Sequence, residues 1–242
     1  MKDLDRLRIK NKILKIDPKR WWGDDFDVRF YLISKLSTIR NKTVLDIGGG
    51  IGIILSEIDK SNQKINLDLS VEDLLICKNK NDENINNVCG SMTHLPLREG
   101  SFDYVIAANI LEIGKEIDLN NNLKRNEFPS ITKLLREIQR VTKMNGMILF
   151  TTPNNEYYKS IKLTYDELKN VFLYFFSEFK IFYYNTFPRL ASKSRKLNMA
   201  NVIPKLLSKI KKNESVIHSL CKTKSQNNYS VSFFVEAKKS DK

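Results

Sequence analysis

Hydrophobic positions along this chain follow two different periods, and the switch between them organises the rest. Over the first forty residues they recur at spacings near three and four: Leu4, Leu7, Ile13 and Leu14, then Phe26, Phe30, Ile33 and Leu36. That spacing predicts helices, broken in between by "DPKRWWGDD", where Pro18 and Gly23 interrupt the pattern. From Thr43 onward, short apolar runs predict strands at "TVLDI", "KINLDL", "NNVCGS", "FDYVIAAN" (Phe102 to Asn109), "MILFTTP", "FKIFYYNTF" and "YSVSFFVEA". Helical stretches separate most of them. "SVEDLLICKNK" and "TYDELKNVF" each open with a capping box, Ser70 with Asp73 and Thr164 with Glu167. "SITKLLREIQRVT" places Ile131, Leu134, Leu135, Ile138 and Val141 on one face. Its helix is predicted to stop at Asn145-Gly146, with the glycine in the left-handed cap position.

Strands alternating with helices imply a parallel sheet covered on both faces. The last two strands depart from the alternation, because the stretch between them, Pro188 to Asn228, is basic and partly helical. The expected architecture is α/β: a Rossmann-like, seven-stranded, mostly parallel sheet with helices on both faces. A helical cap (1–42) precedes the domain (43–242), and the basic insertion (188–228) comes before the last strand.

Composition narrows the setting. A chain of 242 residues suits one domain with decoration. No apolar run reaches the length of a membrane span, "VFLYFF" (Val171 to Phe176) being typical of the longest. The start, "MKDLDRLRIKNKILKI", has no apolar signal core, so export is not expected. Cys77, Cys89 and Cys221 form no pair with metal-ligand or redox spacing, which fits reduced thiols in a cytoplasmic protein and no metal site. The formal net charge of +13 favours anionic partners, and it is concentrated. Arg189 to Lys224 holds ten basic residues and one acid, Glu214.

The chemistry is concentrated at "TVLDIGGGIGIIL", Thr43 to Leu55. Strand, glycine-rich loop and helix bring a ligand against backbone N–H groups at a helix start. The dinucleotide fingerprint G-x-G-x-x-G fails, because Ile53 stands where its third glycine belongs. The pattern that fits is D-x-G-x-G-x-G: Asp46, Gly48, Gly50 and Gly52. A carboxylate there repels a pyrophosphate and attracts an ammonium group. The methionine end of S-adenosylmethionine carries both an ammonium and a carboxylate, and so suits an acid beside helix-terminal N–H groups. About twenty residues on, an acid at the end of the second strand can accept from both ribose hydroxyls. Asp68 in "INLDLS" supplies it.

With these residues in place, the chain resembles the class I S-adenosylmethionine-dependent methyltransferases of type 11, which include quinone and sugar O-methyltransferases. The resemblance runs in order from about Thr43 to Phe187. "VLDIGGGIG" and "INLDLS" are similar to the first two family motifs. "VCGSMTHLPLREGSFDYVIAANILEI" is similar to the G-D-x-x-x-L-P…F-D-x-V…L-E-H stretch, and "LREIQRVTKMNGMILFTTPN" to the E-x-x-R-V-L-K-P-G-G…T-P-N segment. The resemblance implies that Asp46, Gly48, Gly50 and Gly52 hold the methionine portion and Asp68 the ribose. Ser91 and Met92 would meet the adenine edge, and Asn109 would line the cleft beneath the sulfonium. Two positions depart from the family: Ser91 stands in place of Asp, and Ile113 in place of the His after Leu-Glu. A neutral acceptor makes a weaker bond than a charged one. Loss of the His removes a candidate base.

Methyl transfer is an in-line displacement in which the protein mainly orients the reactants and excludes water. A hydroxyl acceptor also needs its proton removed. His94 in "THLPL", His218 in the insertion and Glu112 after the fourth strand offer no convincing base, so no catalytic residue is assigned. Trp21 and Trp22 either close over a ligand or, more commonly for such residues, dock the cap helix. In "NVIPKLLSKIKKNESVIHSL" (Asn201 to Leu220), Ile203, Leu206, Leu207, Ile210, Ile217 and Leu220 share a face flanked by lysines. This pattern fits a lid, a nucleic-acid surface or a peripheral contact with an anionic membrane. The expected function is methyl transfer to the oxygen of a small-molecule acceptor, which is amphipathic, prenylated or anionic. The alternatives are an RNA methyltransferase using the basic face and a non-catalytic cofactor-binding regulator. Against RNA, "ANILEI" is not the N-P-P-[YF]-type run used for amino-group acceptors, and no appended RNA-binding module is visible.

Overall fold

The computed structural model describes residues 32–80, 84–120, 128–153, 163–184 and 232–240. Most of the predicted cap, with Trp21 and Trp22, and the whole basic insertion, with His218 and the 201–220 run, lie outside the described residues. A helical turn at 32–36 leads into seven strands: β1 (Thr43–Ile47), β2 (Gln63–Asp68), β3 (Ile85–Cys89), β4 (Phe102–Ala108), β5 (Thr142–Pro153), β6 (Glu178–Tyr184) and β7 (Ser232–Lys238). Between them run α1 (Ile53–Ser56), α2 (Val71–Lys80), α3 (Leu111–Asn120), α4 (Pro129–Val141) and α5 (Tyr165–Phe175).

The strands form one sheet in the order β3-β2-β1-β4-β5-β7-β6. Neighbours from β3 to β5 are parallel, while β7 runs antiparallel to both β5 and β6. The expected mostly parallel Rossmann-like sheet is therefore what forms. Chain order reverses direction across the sheet between β1 and β4, and a crevice opens at the carboxyl ends of strands at such a point.

Alternation along each strand builds two cores. Leu45, Ile47, Val105, Ala107, Ile148 and Phe150 face one way, onto the apolar sides of α3, α4 and α5. Val44, Ile106, Leu149 and Phe234 face the other way, onto α1, α2 and the 32–36 turn, with Ile53, Ile54, Cys77 and Leu36. Helix α4 carries the stripe read from its sequence, since Ile131, Leu134, Leu135, Ile138 and Val141 are all buried. Full burial of side chains of this size stabilises by roughly 1.5–3 kcal/mol each.

The end of α4 differs from expectation. The helix closes at Val141, and Thr142 is already extended, its hydroxyl donating back to the Ile138 carbonyl at 2.6 Å. Thr142 pairs at once with Phe102 of β4, so the sheet overrides helix continuation. Asn145, not Gly146, takes the left-handed conformation, with φ 63°. It does so inside a bulge of β5 that the Lys239 backbone clasps from both sides. Gly146 is required for closeness instead, because a Cβ there would stand 2.6 Å from Thr142 Cγ2 and 2.9 Å from the Lys143 carbonyl oxygen.

Buried polar groups tie the helices to one another. Asp118 of α3 accepts the Ser130 N–H at 3.1 Å through both oxygens, which caps α4 where Pro129 supplies no donor. Lys115, 1% exposed, donates to both Glu167 oxygens and lies 5.3 Å from the Phe128 ring centroid. Glu167 also completes the predicted capping box with Thr164. Burial pushes the Glu167 carboxyl up, but the Lys115 ammonium and the Thr164 N–H outweigh it and hold the group below the usual glutamate range.

Candidate cofactor cleft

The glycine loop leaves β1 at its carboxyl end. Gly48, Gly50 and Gly52 all take positive φ, between 53° and 71°, a region open to glycine at little cost. The Gly48 N–H donates to the Leu67 carbonyl at 2.7 Å, so the loop is tied to β2 as it starts. The Gly50 N–H donates to Asp68 Oδ2 at 2.8 Å, and the Ser70 N–H to Asp68 Oδ1 at 2.9 Å. Asp68 therefore fixes both the loop and the entry to α2, while each of its oxygens keeps acceptor capacity.

A cleft of about 170 Å³ lies over this loop, lined by Asp46, Gly48, Gly49, Gly50, Ile51, Ile53, Ile54, Asp68, Asp73 and Ala108. Of the residues predicted from sequence, Asp46, Gly48, Gly50 and Asp68 meet here. Gly52 instead begins α1 as its left-handed N-cap. Ser91, Met92 and Asn109 are not among the lining residues; they stand just beyond the carboxyl ends of β3 and β4. The Ser91 hydroxyl is engaged in its own turn, 3.0 Å from Thr93 Oγ1 and accepting the Thr93 N–H. Met92 packs against the first core. Asn109 has φ 55°, and its Oδ1 accepts from Thr151 Oγ1 at 3.0 Å. Glu112 accepts from Thr152 Oγ1 at 3.3 Å, and Ile113, in the family's His position, is an exposed apolar residue on α3.

Asn66 is a residue that sequence reasoning missed. On β2 it pairs in register with Asp46 of β1 and Asn87 of β3, so three polar side chains cross the sheet in one row. Its Nδ2 donates to the Gly50 carbonyl at 2.8 Å and to Asn87 Oδ1 at 3.1 Å. Its Oδ1 is buried and accepts no hydrogen bond among the described residues. A Cβ on Gly49 would overlap that Oδ1 and stand 2.9 Å from Asp46 Cγ and Oδ2. The loop thus rests on a floor of buried acceptors, Asp46 (1% exposed) and Asn66 (0%). The signal was present in the period of two, which puts positions 66 and 68 on one side of β2.

The sequence predicts Asp73 as the second half of a capping box. Only half of that box forms: the Asp73 N–H donates to Ser70 Oγ at 3.2 Å, but the Ser70 N–H goes to Asp68. The Asp73 carboxylate lines the cleft instead.

The segment between β3 and β4 is held by a separate cluster. Glu137 of α4 accepts the Leu95 N–H at 2.7 Å, and Arg140 donates to the Leu95 and Leu97 carbonyls. Glu137 and Arg140 also bond to each other, which holds the Glu137 carboxyl below its ordinary range despite partial burial and pushes the Arg140 guanidinium further up. The E-x-x-R signature in α4 is thus a staple for the "HLPL" turn. His94 is exposed there, with Nδ1 3.1 Å from Thr93 Oγ1, away from the cleft lining.

The glycine loop at the reversal point, the acid beneath it and the acid across from it all fall within the stretch that resembles known proteins. Residues 45–150 match the family model described as a methyltransferase domain. The model is that of the type 11 methyltransferase domain, and it covers less than half of the chain. The chain is also 27% identical over 152 residues to the uncharacterized protein MJ0638 of Methanocaldococcus jannaschii, covering 63% of this chain and 53% of that one. It is 36% identical over 112 residues to MJ1252 of the same organism, covering 46% and 37%. It therefore spans about half the length, or less, of these relatives. Among solved structures, it resembles phosphoethanolamine N-methyltransferase 2 of Haemonchus contortus in complex with S-adenosyl-L-methionine. That likeness has a TM-score of 0.57 at 19% identity and covers 89% of this chain and 53% of the other. The cofactor in that complex is S-adenosyl-L-methionine. Among the described residues, no helix of the domain is long and apolar enough to cross a membrane.

The residues present fit that cofactor. Among the described residues, the cleft lining carries carboxylates and bare backbone and no basic side chain to favour a diphosphate.

Proposed function

We propose that this chain transfers the methyl group of S-adenosylmethionine to the oxygen of a small-molecule acceptor. The observation that carries the cofactor half is the bond from the Gly50 N–H to Asp68 Oδ2, which joins the glycine loop to the acid of β2 in the strand-reversal crevice. When bound, the cofactor supplies a methyl already activated on a sulfonium, so the protein's task is orientation.

Each predicted residue then has a part. Asp46, beneath the loop, provides negative charge for the ammonium of the methionine portion, and Gly48 and Gly50 let that portion approach the backbone. Gly52 opens α1, whose first N–H groups face a carboxylate favourably. Asp68 accepts from the ribose. Ser91 and Met92 border the adenine from the β3 side, Met92 with an apolar face. Asn109, its Oδ1 fixed by Thr151, borders the reacting end from β4. The "ANILEI" run, which is not the N-P-P-[YF] type used for amino-group acceptors, supports an acceptor other than a nucleobase amine. Titration calorimetry with S-adenosylmethionine and S-adenosylhomocysteine tests the cofactor half. A radiolabelled methyl donor offered with hydroxylated amphiphiles, simple amines and bulk RNA tests the other. Label on an amine or on RNA would refute the oxygen assignment.

A further inference from the structure

We propose that Asp73 is a second acceptor for the cofactor's ribose, so that two carboxylates rather than one recognise its vicinal diol. The inference rests on the cofactor reading above and extends it to a residue outside the glycine motif and its partner acid.

Three observations converge on Asp73. Asp73 lines the cleft, and the Ser70 N–H that a full capping box would give it goes to Asp68 Oδ1 instead. Asp73 Oδ2 and Asp68 Oδ2 lie 3.6 Å and 3.9 Å from the point where a Cβ on Gly50 would sit, so the two oxygens border the same bare patch of backbone. Asp73 is also 8% exposed.

A vicinal diol brings two O–H donors on adjacent carbons, one for each carboxylate. Asp68 already accepts two backbone N–H groups, one on each oxygen. Sharing the diol leaves each acid one ligand hydroxyl instead of loading both onto Asp68. The backbone between them must be glycine, since any side chain at position 50 would fill the space the sugar needs.

The test uses the full chain and isosteric substitutions, with S-adenosylhomocysteine and its 2′-deoxy and 3′-deoxy analogues as probes in titration calorimetry. Asp73→Asn is expected to weaken S-adenosylhomocysteine about tenfold, the scale of losing a charged acceptor. Removing one particular hydroxyl should weaken wild type by a similar factor but Asp73→Asn by no more than about twofold, because the partner is already gone. Asp68→Asn should show the same pattern with the other hydroxyl. Asp73→Asn binding within twofold of wild type, or losing affinity equally for all three probes, overturns the proposal while a damaged Asp68→Asn leaves the cofactor reading standing. Absence of binding by the folded wild type overturns both.

Discussion

Gly49 lies between two glycines of the D-x-G-x-G-x-G pattern, at a position that pattern leaves open, and the structure makes it sterically demanding. One methyl group tests this. In Gly49→Ala the new Cβ would overlap Asn66 Oδ1 and stand 2.9 Å from Asp46 Cγ and Oδ2. Asn66 cannot yield freely, because its Nδ2 is held at 2.8 Å by the Gly50 carbonyl and at 3.1 Å by Asn87. Overpacking of this kind costs about 1–3 kcal/mol, and each neutral hydrogen bond given up adds about 1 kcal/mol. We expect Gly49→Ala to lose about 2–3 kcal/mol. Asn66→Ala alone loses two hydrogen bonds but also removes a buried unsatisfied oxygen, so its expected cost is about 1–2 kcal/mol. The double variant loses the overlap with Asn66 and keeps only the closer approach to Asp46, so it should lose about 2–3 kcal/mol, short of the sum of the single losses. Urea unfolding of the four proteins at equal m-values measures the cycle. Additivity within about 0.5 kcal/mol would refute the claim that Asn66 is what forbids a side chain at position 49.

Other expectations concern the acid across the loop and the two ion-pair clusters. Asp68→Ala should weaken S-adenosylmethionine by about tenfold or more in calorimetry, since a charged acceptor is lost and the Gly50 and Ser70 N–H groups are released together. Lys115→Met should cost about 3 kcal/mol at neutral pH, because it leaves the partly buried Glu167 without its cation. The Glu167 carboxyl is held below its unfolded value, so the stability it contributes is present above the unfolded pKa and is lost as pH falls through the folded one. Thermal melts from pH 7 down to pH 3 should therefore fall less steeply for Lys115→Met than for wild type. Arg140→Met should speed amide exchange at Leu95, whose N–H is held by a Glu137 that has lost its partner, and leave β1 protection nearly unchanged.

Much of this fold is written in local pattern. The stripe of α4, the capping box at Thr164 and the first five strands are each announced by the pattern of their own residues. What local pattern does not carry is pairing. Nothing near Ser232 announces that its strand enters between β5 and β6, because that position is fixed by hydrogen bonds to distant residues. The stop of α4 was misplaced for the same reason: a preference for glycine caps yielded to the pairing of Thr142 with Phe102. The cleft was legible where a motif fixes both residue type and spacing, as at Asp46 and Asp68. It was only faintly legible at Asn66, which the period of two puts on the side of Asp68, and not at Asp73; both residue types are common on surfaces, and their burial depends on distant packing. Lys64 and Lys115, both fully enclosed, show the same blindness toward charge inside the molecule.

The interior place of β7 has a consequence for biosynthesis. As the ribosome delivers the chain, β6 emerges long before the residues that join it to the sheet, so it waits without its only neighbour among the described strands while 185–231 are made. An unpaired aromatic strand, "EFKIFYY", is the kind of nascent segment that engages other chains or a chaperone. Translation speed through the basic stretch thereby becomes a determinant of yield, and ribosome-stalled fragments ending before Ser232 should be far more prone to protease attack than released full-length protein.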